Sequence, residues 1–157
     1  SGVRSHNTIE FDNRDQMPKL RRFLRGGWLA SKNVKFDNNL DKEIKASAGY
    51  KDWKCAYHYR SLKLNNKKLV IKDIIGGFEN HAILRWRLIP SNWELKDSIL
   101  KSEFCSIYID ATTQLDSISL DEGWESRYYY QKTPLKVLTI KTLNPSEITT
   151  SFNFHNL

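Results

Sequence analysis

Tyr57-His58-Tyr59-Arg60-Ser61-Leu62-Lys63-Leu64-Asn65-Asn66-Lys67-Lys68-Leu69-Val70-Ile71-Lys72-Asp73-Ile74-Ile75 is the stretch on which the fold turns. Tyr57, Tyr59, Leu62 and Leu64 run up to Asn65-Asn66, and Leu69, Ile71 and Ile74 run back from it. Two strand-like runs of β-branched and aromatic residues flanking an Asn-Asn turn predict a β-hairpin.

The same period of two extends outward in both directions. Further strands are expected over 23–34, 43–48, 82–89, 104–110, 115–120, 135–141 and 147–154. Gly26-Gly27, Gly76-Gly77, Pro90-Ser91-Asn92 and Asn144-Pro145 punctuate them. Short strands at spacings of about ten residues predict an all-β fold, an antiparallel two-sheet β-sandwich with at most short helical turns. Only 15–25 could form a helical turn or two. Leu64, Ile71, Leu84, Trp86, Leu88, Ile107, Ile109, Leu138 and Ile140 alternate with polar neighbours and are the expected core. No repeat or linker stands out, so 1–157 is expected to be one domain.

With 157 residues, 39% hydrophobic and 12% aromatic, the chain can bury a real core and is not of disordered composition. No apolar run approaches the roughly 18 residues of a membrane-spanning helix, so no membrane partner is expected. The net charge of +7 favours an anionic partner without naming it: sulfated or uronic-acid polysaccharide, nucleic acid and an anionic membrane surface all qualify. Cys55 and Cys105 lie in apolar, strand-like sequence and are expected to be buried free thiols, a bridge in an oxidising compartment being the alternative. No nucleophile elbow, phosphate loop, closely spaced metal-ligand pair or RNA-binding aromatic signature occurs.

Near the start, Ser5-His6-Asn7-Thr8-Ile9-Glu10-Phe11-Asp12-Asn13-Arg14-Asp15-Gln16 reads as a short strand and a tight Asp-Asn turn, with a histidine where the strand begins. This run resembles the HNTV-x-VDG-x-DQ signature of bacterial heparinase II/III-like polysaccharide lyases. The likeness continues in order. His58-Tyr59-Arg60 resembles the family's H-x-R segment, and 68–76 (KLVIKDIIG) its L-x-I-x-D-x-I-x-G. The run 81–90 (HAILRWRLIP) resembles H-x-x-x-x-x-W-x-L-x-P. Gly123-Trp124-Glu125-Ser126, with Tyr130 and Pro134, resembles EGW-x-S-x-x-Y-x-x-x-x-P.

The resemblance implies the C-terminal sheet portion of an exported, periplasmic or extracellular lyase that cleaves uronic-acid-containing polysaccharide by β-elimination. It also implies an upstream helical toroid as a partner within the parent chain, and an H-x-H-x-D segment just before the HNT strand. Neither is present here, and the chain opens on Ser1-Gly2 and not on Met. The expectation is therefore the back part of an enzyme, with no catalytic residues of its own and no lyase activity alone. A divalent metal, usually taken as zinc, would sit in the parent, with His6 as one ligand; the fragment alone is expected to hold none. The alternative is a binding module for anionic glycans. Nucleic acid, resting on charge alone, is the weakest reading.

Candidate substrate contacts are Arg14, Arg21, Arg22, His58, Arg60 and Trp124. Arg21 and Arg22 belong to a basic cluster with Lys19 and Arg25, and a guanidinium pairs bidentately with carboxylate or sulfate; a charge run can equally be a solvated face. His58 and Arg60 are two apart and share a strand face. They either meet the polysaccharide or form an interior ion-pair ladder with Asp73 or Glu79. Trp124 follows the turn residue Gly123 and is expected to be partly exposed, whereas Trp86 reads as core. Of Tyr128, Tyr129 and Tyr130, at least one must face outward.

Overall fold

A computed structural model describes residues 2–22, 24–39 and 43–155. Among these, the only helical turn is a 3-10 turn at Val3–Ser5. Twelve strands follow: β1 (Ile9–Phe11), β2 (Lys32–Asn39), β3 (Glu43–Lys51), β4 (Tyr57–Leu64), β5 (Lys68–Gly76), β6 (Ala82–Arg87), β7 (Glu94–Lys96), β8 (Ile99–Lys101), β9 (Cys105–Ala111), β10 (Ser117–Glu125), β11 (Thr133–Thr142) and β12 (Ser146–Phe154). They form two antiparallel sheets, a small one in the order β1-β6-β11-β10 and a large one in the order β2-β3-β4-β5-β12-β9-β8-β7.

The β4–β5 hairpin closes as its sequence predicts. Leu64 pairs with Leu69, Asn65 N–H donates to the Lys68 carbonyl at 3.0 Å, and Asn65 Oδ1 accepts from the Lys68 N–H at 2.9 Å. An asparagine side chain that bonds its own turn is the local device that sets this register. β1 ends in the Asp-Asn turn. Asp12 and Asn13 both have positive φ (47° and 57°), and Arg14 N–H reaches the Phe11 carbonyl at 3.0 Å. That is the primed turn Asp and Asn tolerate best.

Every second residue of the paired strands meets between the sheets. Ile9, Phe11, Leu84, Trp86, Leu138 and Ile140 come from the small sheet and pack on Ile71, Ile75, Leu100, Ile107, Ile109 and Ile148 of the large one. Burial of side chains of this size contributes about 1.5–3 kcal/mol each before entropy is counted. Eight of the nine expected core residues are buried. The ninth, Leu64, is only half-buried because it stands at the end of β4 beside the turn. Tyr57, Tyr59 and Ile74 occupy the opposite, outer face.

Other expectations need correction. The described residues of the 15–25 segment, 15–22, 24 and 25, are not helical. Pro18 offers no donor and Gly26 follows closely, so the segment closes on itself: Gly26 N–H bonds the Pro18 carbonyl at 2.9 Å, and Lys19 bridges Arg25. So few residues cannot sustain an isolated helix. The strand expected from Phe23 begins only at Lys32. Phe23 lies outside the described residues, and Gly27, at φ 61°, interrupts the extended run. The strand expected over 115–120 runs from Ser117 to Glu125, since β10 keeps its pairing with β11 beyond Leu120. Cys105 is buried, but Cys55 is exposed in the turn after β3 with φ 68°. Tyr128, Tyr129 and Tyr130 lie in the β10–β11 loop, and all three are exposed.

Candidate functional site

The segment from His6 to Thr8 spans the seam between the sheets, and each sheet grips it. Asn7 Oδ1 accepts from the Arg87 N–H of β6 at 2.8 Å. The Asn7 carbonyl accepts from Arg60 Nη1 of β4 at 2.7 Å. Thr8 Oγ1 accepts from Gln16 Nε2 at 3.1 Å, and the same nitrogen donates to Tyr50 Oη at 2.7 Å. His6 itself is exposed. It lines a recess of about 240 Å³ with Val3, Asp15, Gln16, Met17 and Arg25.

Behind this segment lies a buried charge cluster. Arg60 and Asp73 are directly opposite in the β4–β5 register. Asp73 Oδ1 stands 2.6 Å from both Arg60 Nε and His58 Nε2, and its Oδ2 accepts from Arg60 Nη2 at 3.2 Å. Arg60 also sits 4.6 Å from the Trp86 ring centroid, and Tyr50 packs edge-on against His58. Burial pushes the Asp73 carboxyl up, but the His58 bond and the adjacent Arg60 outweigh it and hold the group below its ordinary value. Tyr50, largely desolvated, is pushed up to about 12. His58 and Arg60 thus form the interior ladder, with Asp73 as partner; Glu79 instead lies 3.8 Å from Lys54.

Arg14 is clamped between two carboxylates, Asp12 at 2.5 Å and Asp52 at 2.8 Å. Asp12 also accepts the N–H groups of Glu79, Asn80 and His81 at 2.7–3.0 Å. Burial opposes this charge, yet three backbone donors and Arg14 keep the carboxyl far below the usual range. This knot fixes the β5–β6 loop to the end of β1. Arg21 and Arg22 are exposed on the loop that Lys19 and Arg25 bridge.

On the outer face of the small sheet, a cleft of about 860 Å³ is lined by Arg4, Arg85, Arg87, Trp124 and Glu125, among others, and shares Gly2 with the His6 recess. Glu10, buried on edge strand β1, holds Arg4 at 2.8 Å and Arg85 at 2.6 Å on its floor. Arg87 Nη2 donates to the Trp124 carbonyl. Trp124 is 55% exposed, with Lys132 4.7 Å from its ring. Asp121, Glu122 and Glu125 also line the cleft, Glu122 being paired with Lys136. Such a site can pair acidic groups and hydroxyls of a ligand.

Of the sequence-predicted residues, the structure brings Trp124 and His6 to adjoining recesses and draws His58 and Arg60 together behind them. Arg4, Arg85 and Arg87 were not singled out from the sequence. The alternation of Arg85 and Arg87 with Leu84 and Trp86 could have marked them, since residues opposite in parity to a core stripe face outward.

As a zinc site these residues do not suffice. Among the described residues no group of three His, Cys, Asp or Glu could hold a metal. Asp15, beside His6, is engaged by the Val3 N–H and Arg25. A tetrahedral shell at His6 requires donors from elsewhere, and no step is derived through a metal.

No curated protein matches the chain. Solved structures do. The chain superposes on heparinase III with a TM-score of 0.73 at 16% identity, covering 94% of this chain and 23% of that one. It superposes on heparan sulfate lyase HepC from Pedobacter heparinus with a TM-score of 0.74 at 15% identity, covering 98% and 24%. The chain therefore spans about a quarter of the length of these structures, and at such identity the likeness speaks for the fold. The family model described as heparinase II/III-like, C-terminal, matches residues 1–152. The chain belongs to the heparinase II/III-like C-terminal family.

Proposed function

We propose that this domain forms a glycan-facing wall of a polysaccharide lyase of the heparinase II/III type, secreted or periplasmic, acting on uronic-acid-containing chains. The reaction would be β-elimination: a base removes the C5 proton, the 4-linked sugar departs, and an unsaturated uronide remains. The acid–base groups would come from other parts of a longer chain, an upstream helical toroid among them. This domain would contribute orientation and charge, its guanidinium groups stabilising the carboxylate as negative charge develops.

The observation that carries this reading is the cleft lined by Arg4, Arg85, Arg87 and Trp124, next to the doubly tethered His6–Thr8 segment. In the parent, His6 would add a ligand to a zinc ion completed by other segments. The test has two arms, both read by ultraviolet absorbance of the unsaturated product on heparin, heparan sulfate and alginate. The chain alone should release no product; a steady release would overturn the placement of the catalytic groups elsewhere. In the longer protein, Trp124→Ala should lower kcat/KM about tenfold, as losing one well-made contact does. Unchanged kinetics would remove the cleft from the substrate path. The alternative, a binding module for anionic glycans, draws support from a different surface.

A further inference from the structure

The outer face of the large sheet breaks a rule of strand pairing. Lys45 of β3 and Lys63 of β4 stand directly opposite each other in register. Like charges in that position destabilise a sheet. Glu43, at 2.7 Å from Lys45 and 2.5 Å from Lys63, eases the repulsion, as does Asp37, opposite Lys45 on β2. Two residues along the strands, a second row crosses the sheet. Lys35 pairs with Ser47, Ser47 with Ser61, and Ser61 with Lys72. Three strand spacings, about 14 Å, separate the two lysines at its ends, with the two hydroxyls between them. Together these residues surround a trough of about 410 Å³.

Its far flank is aromatic. Tyr59 lies opposite Gly49 on β3, and a Cβ on that glycine would stand 2.9 Å from Tyr59 Cδ2. Tyr57 lies opposite Gly76 on β5, where a Cβ would stand 2.5 Å from the Tyr57 hydroxyl. The glycines let both rings lie down across neighbouring strands, one on either side of β4, an arrangement that also protects the bare backbone. A flat ring beside a row of hydroxyls bounded by cations matches a ligand with apolar sugar faces and regularly spaced anions. An extended peptide would add its strand along the edge of β2, beside this row and not over it.

We infer that the outer face of β2–β5 is a second, non-catalytic site for an anionic polysaccharide, the chain lying over Ser47 and Ser61. Lys35 and Lys72 take its acidic groups at the ends, Lys45 and Lys63 along one flank, and Tyr59 packs against a sugar ring on the other. The acidic partners of these lysines are on the surface, and exposed ion pairs are worth only about 0–1 kcal/mol, so ligand carboxylates or sulfates displace them at little cost. The cleft beside Trp124 is on the opposite sheet, so one polymer can be held here while another stretch of it is worked on elsewhere. The anionic-glycan class rests on the reading above; the location does not.

The test is titration of the isotope-labelled chain with a size-defined heparan sulfate hexasaccharide, followed by amide chemical shifts and calorimetry. Shifts are expected at Ser47, Tyr59, Ser61 and Lys63. Lys45→Gln/Lys63→Gln should weaken binding about tenfold and reduce the salt dependence by about two released ions. Tyr59→Ala should weaken binding while leaving the salt slope in place. If a variant loses its native circular dichroism, the wild-type shift map alone decides. Shifts confined to the Trp124 cleft, with the lysine variants binding normally, would overturn this inference and leave the proposed function standing. No binding at either surface would sink both. A DNA duplex bound as tightly as the hexasaccharide, and weakened by the lysine changes but not by Tyr59→Ala, would replace the glycan site with a general polyanion patch.

Discussion

Arg60 and Asp73 face each other across the β4–β5 pair, and Asp73 Oδ1 accepts Arg60 Nε at 2.6 Å while being fully shielded from water. The pair does more than neutralise charge. Arg60 Nη1 also donates to the Asn7 carbonyl, so the ladder inside the large sheet holds the segment that carries His6.

Asp73→Ala would leave Arg60 without its carboxylate in a largely desolvated position. The expected loss is about 3–5 kcal/mol, the scale on which breaking one side of a buried ion pair operates. Urea denaturation reads it directly. A loss under about 1 kcal/mol would show that solvent reaches the cluster and replaces the carboxylate.

Stability should fall at both ends of the pH scale, for different groups. Asp12 and Asp73 are held below their usual value in the folded state. Depressed carboxyls contribute stability that is complete above the unfolded value, about 3.9, and lost as pH falls below it. Tyr50 is raised to about 12. Its contribution is complete below about 10 and lost as pH rises from there towards 12. Denaturation midpoints should therefore hold between about pH 5 and 9. Tyr50→Phe should flatten the alkaline limb alone and Asp12→Asn should shrink the acid limb alone; a Tyr50→Phe protein with the full alkaline loss would place that titration elsewhere.

Zinc dialysed against this chain should bind at well below one equivalent, equally in the native protein and in His6→Ala. One exposed imidazole, with Asp15 already committed to Arg25 and the Val3 N–H, leaves a tetrahedral shell incomplete. One equivalent in the native protein, lost in His6→Ala, would reveal a closed site.

The β-class of the chain, the 57–75 hairpin, the Asp12-Asn13 turn and the Leu84–Trp86–Leu88 core stripe were all legible in the residues. Alternation and turn chemistry are local properties, set by the geometry of the strand itself. Parity says which residues share a face. With Leu64 and Ile71 taken as core, the same parity puts Tyr57, Tyr59 and Ile74 on the outer side of the hairpin. The tight segment 15–25 misled: its pattern of apolar and basic residues fits a helical turn, and only contacts across the loop, from Pro18 to Gly26, decide otherwise.

The clusters depended on the tertiary fold. Arg14 meets Asp52 across 38 positions, Asn7 meets Arg60 across 53, and Arg87 meets Asn7 across 80. Each distance is bridged by the order of strands in the two sheets, and that order is chosen by the mutual burial of Phe11, Leu84, Ile140 and Ile148 in one core. The amino-acid sequence by itself determined the strands and their turns. Which arginine finds a carboxylate, and which is left facing a cleft, was decided only when the sheets stacked.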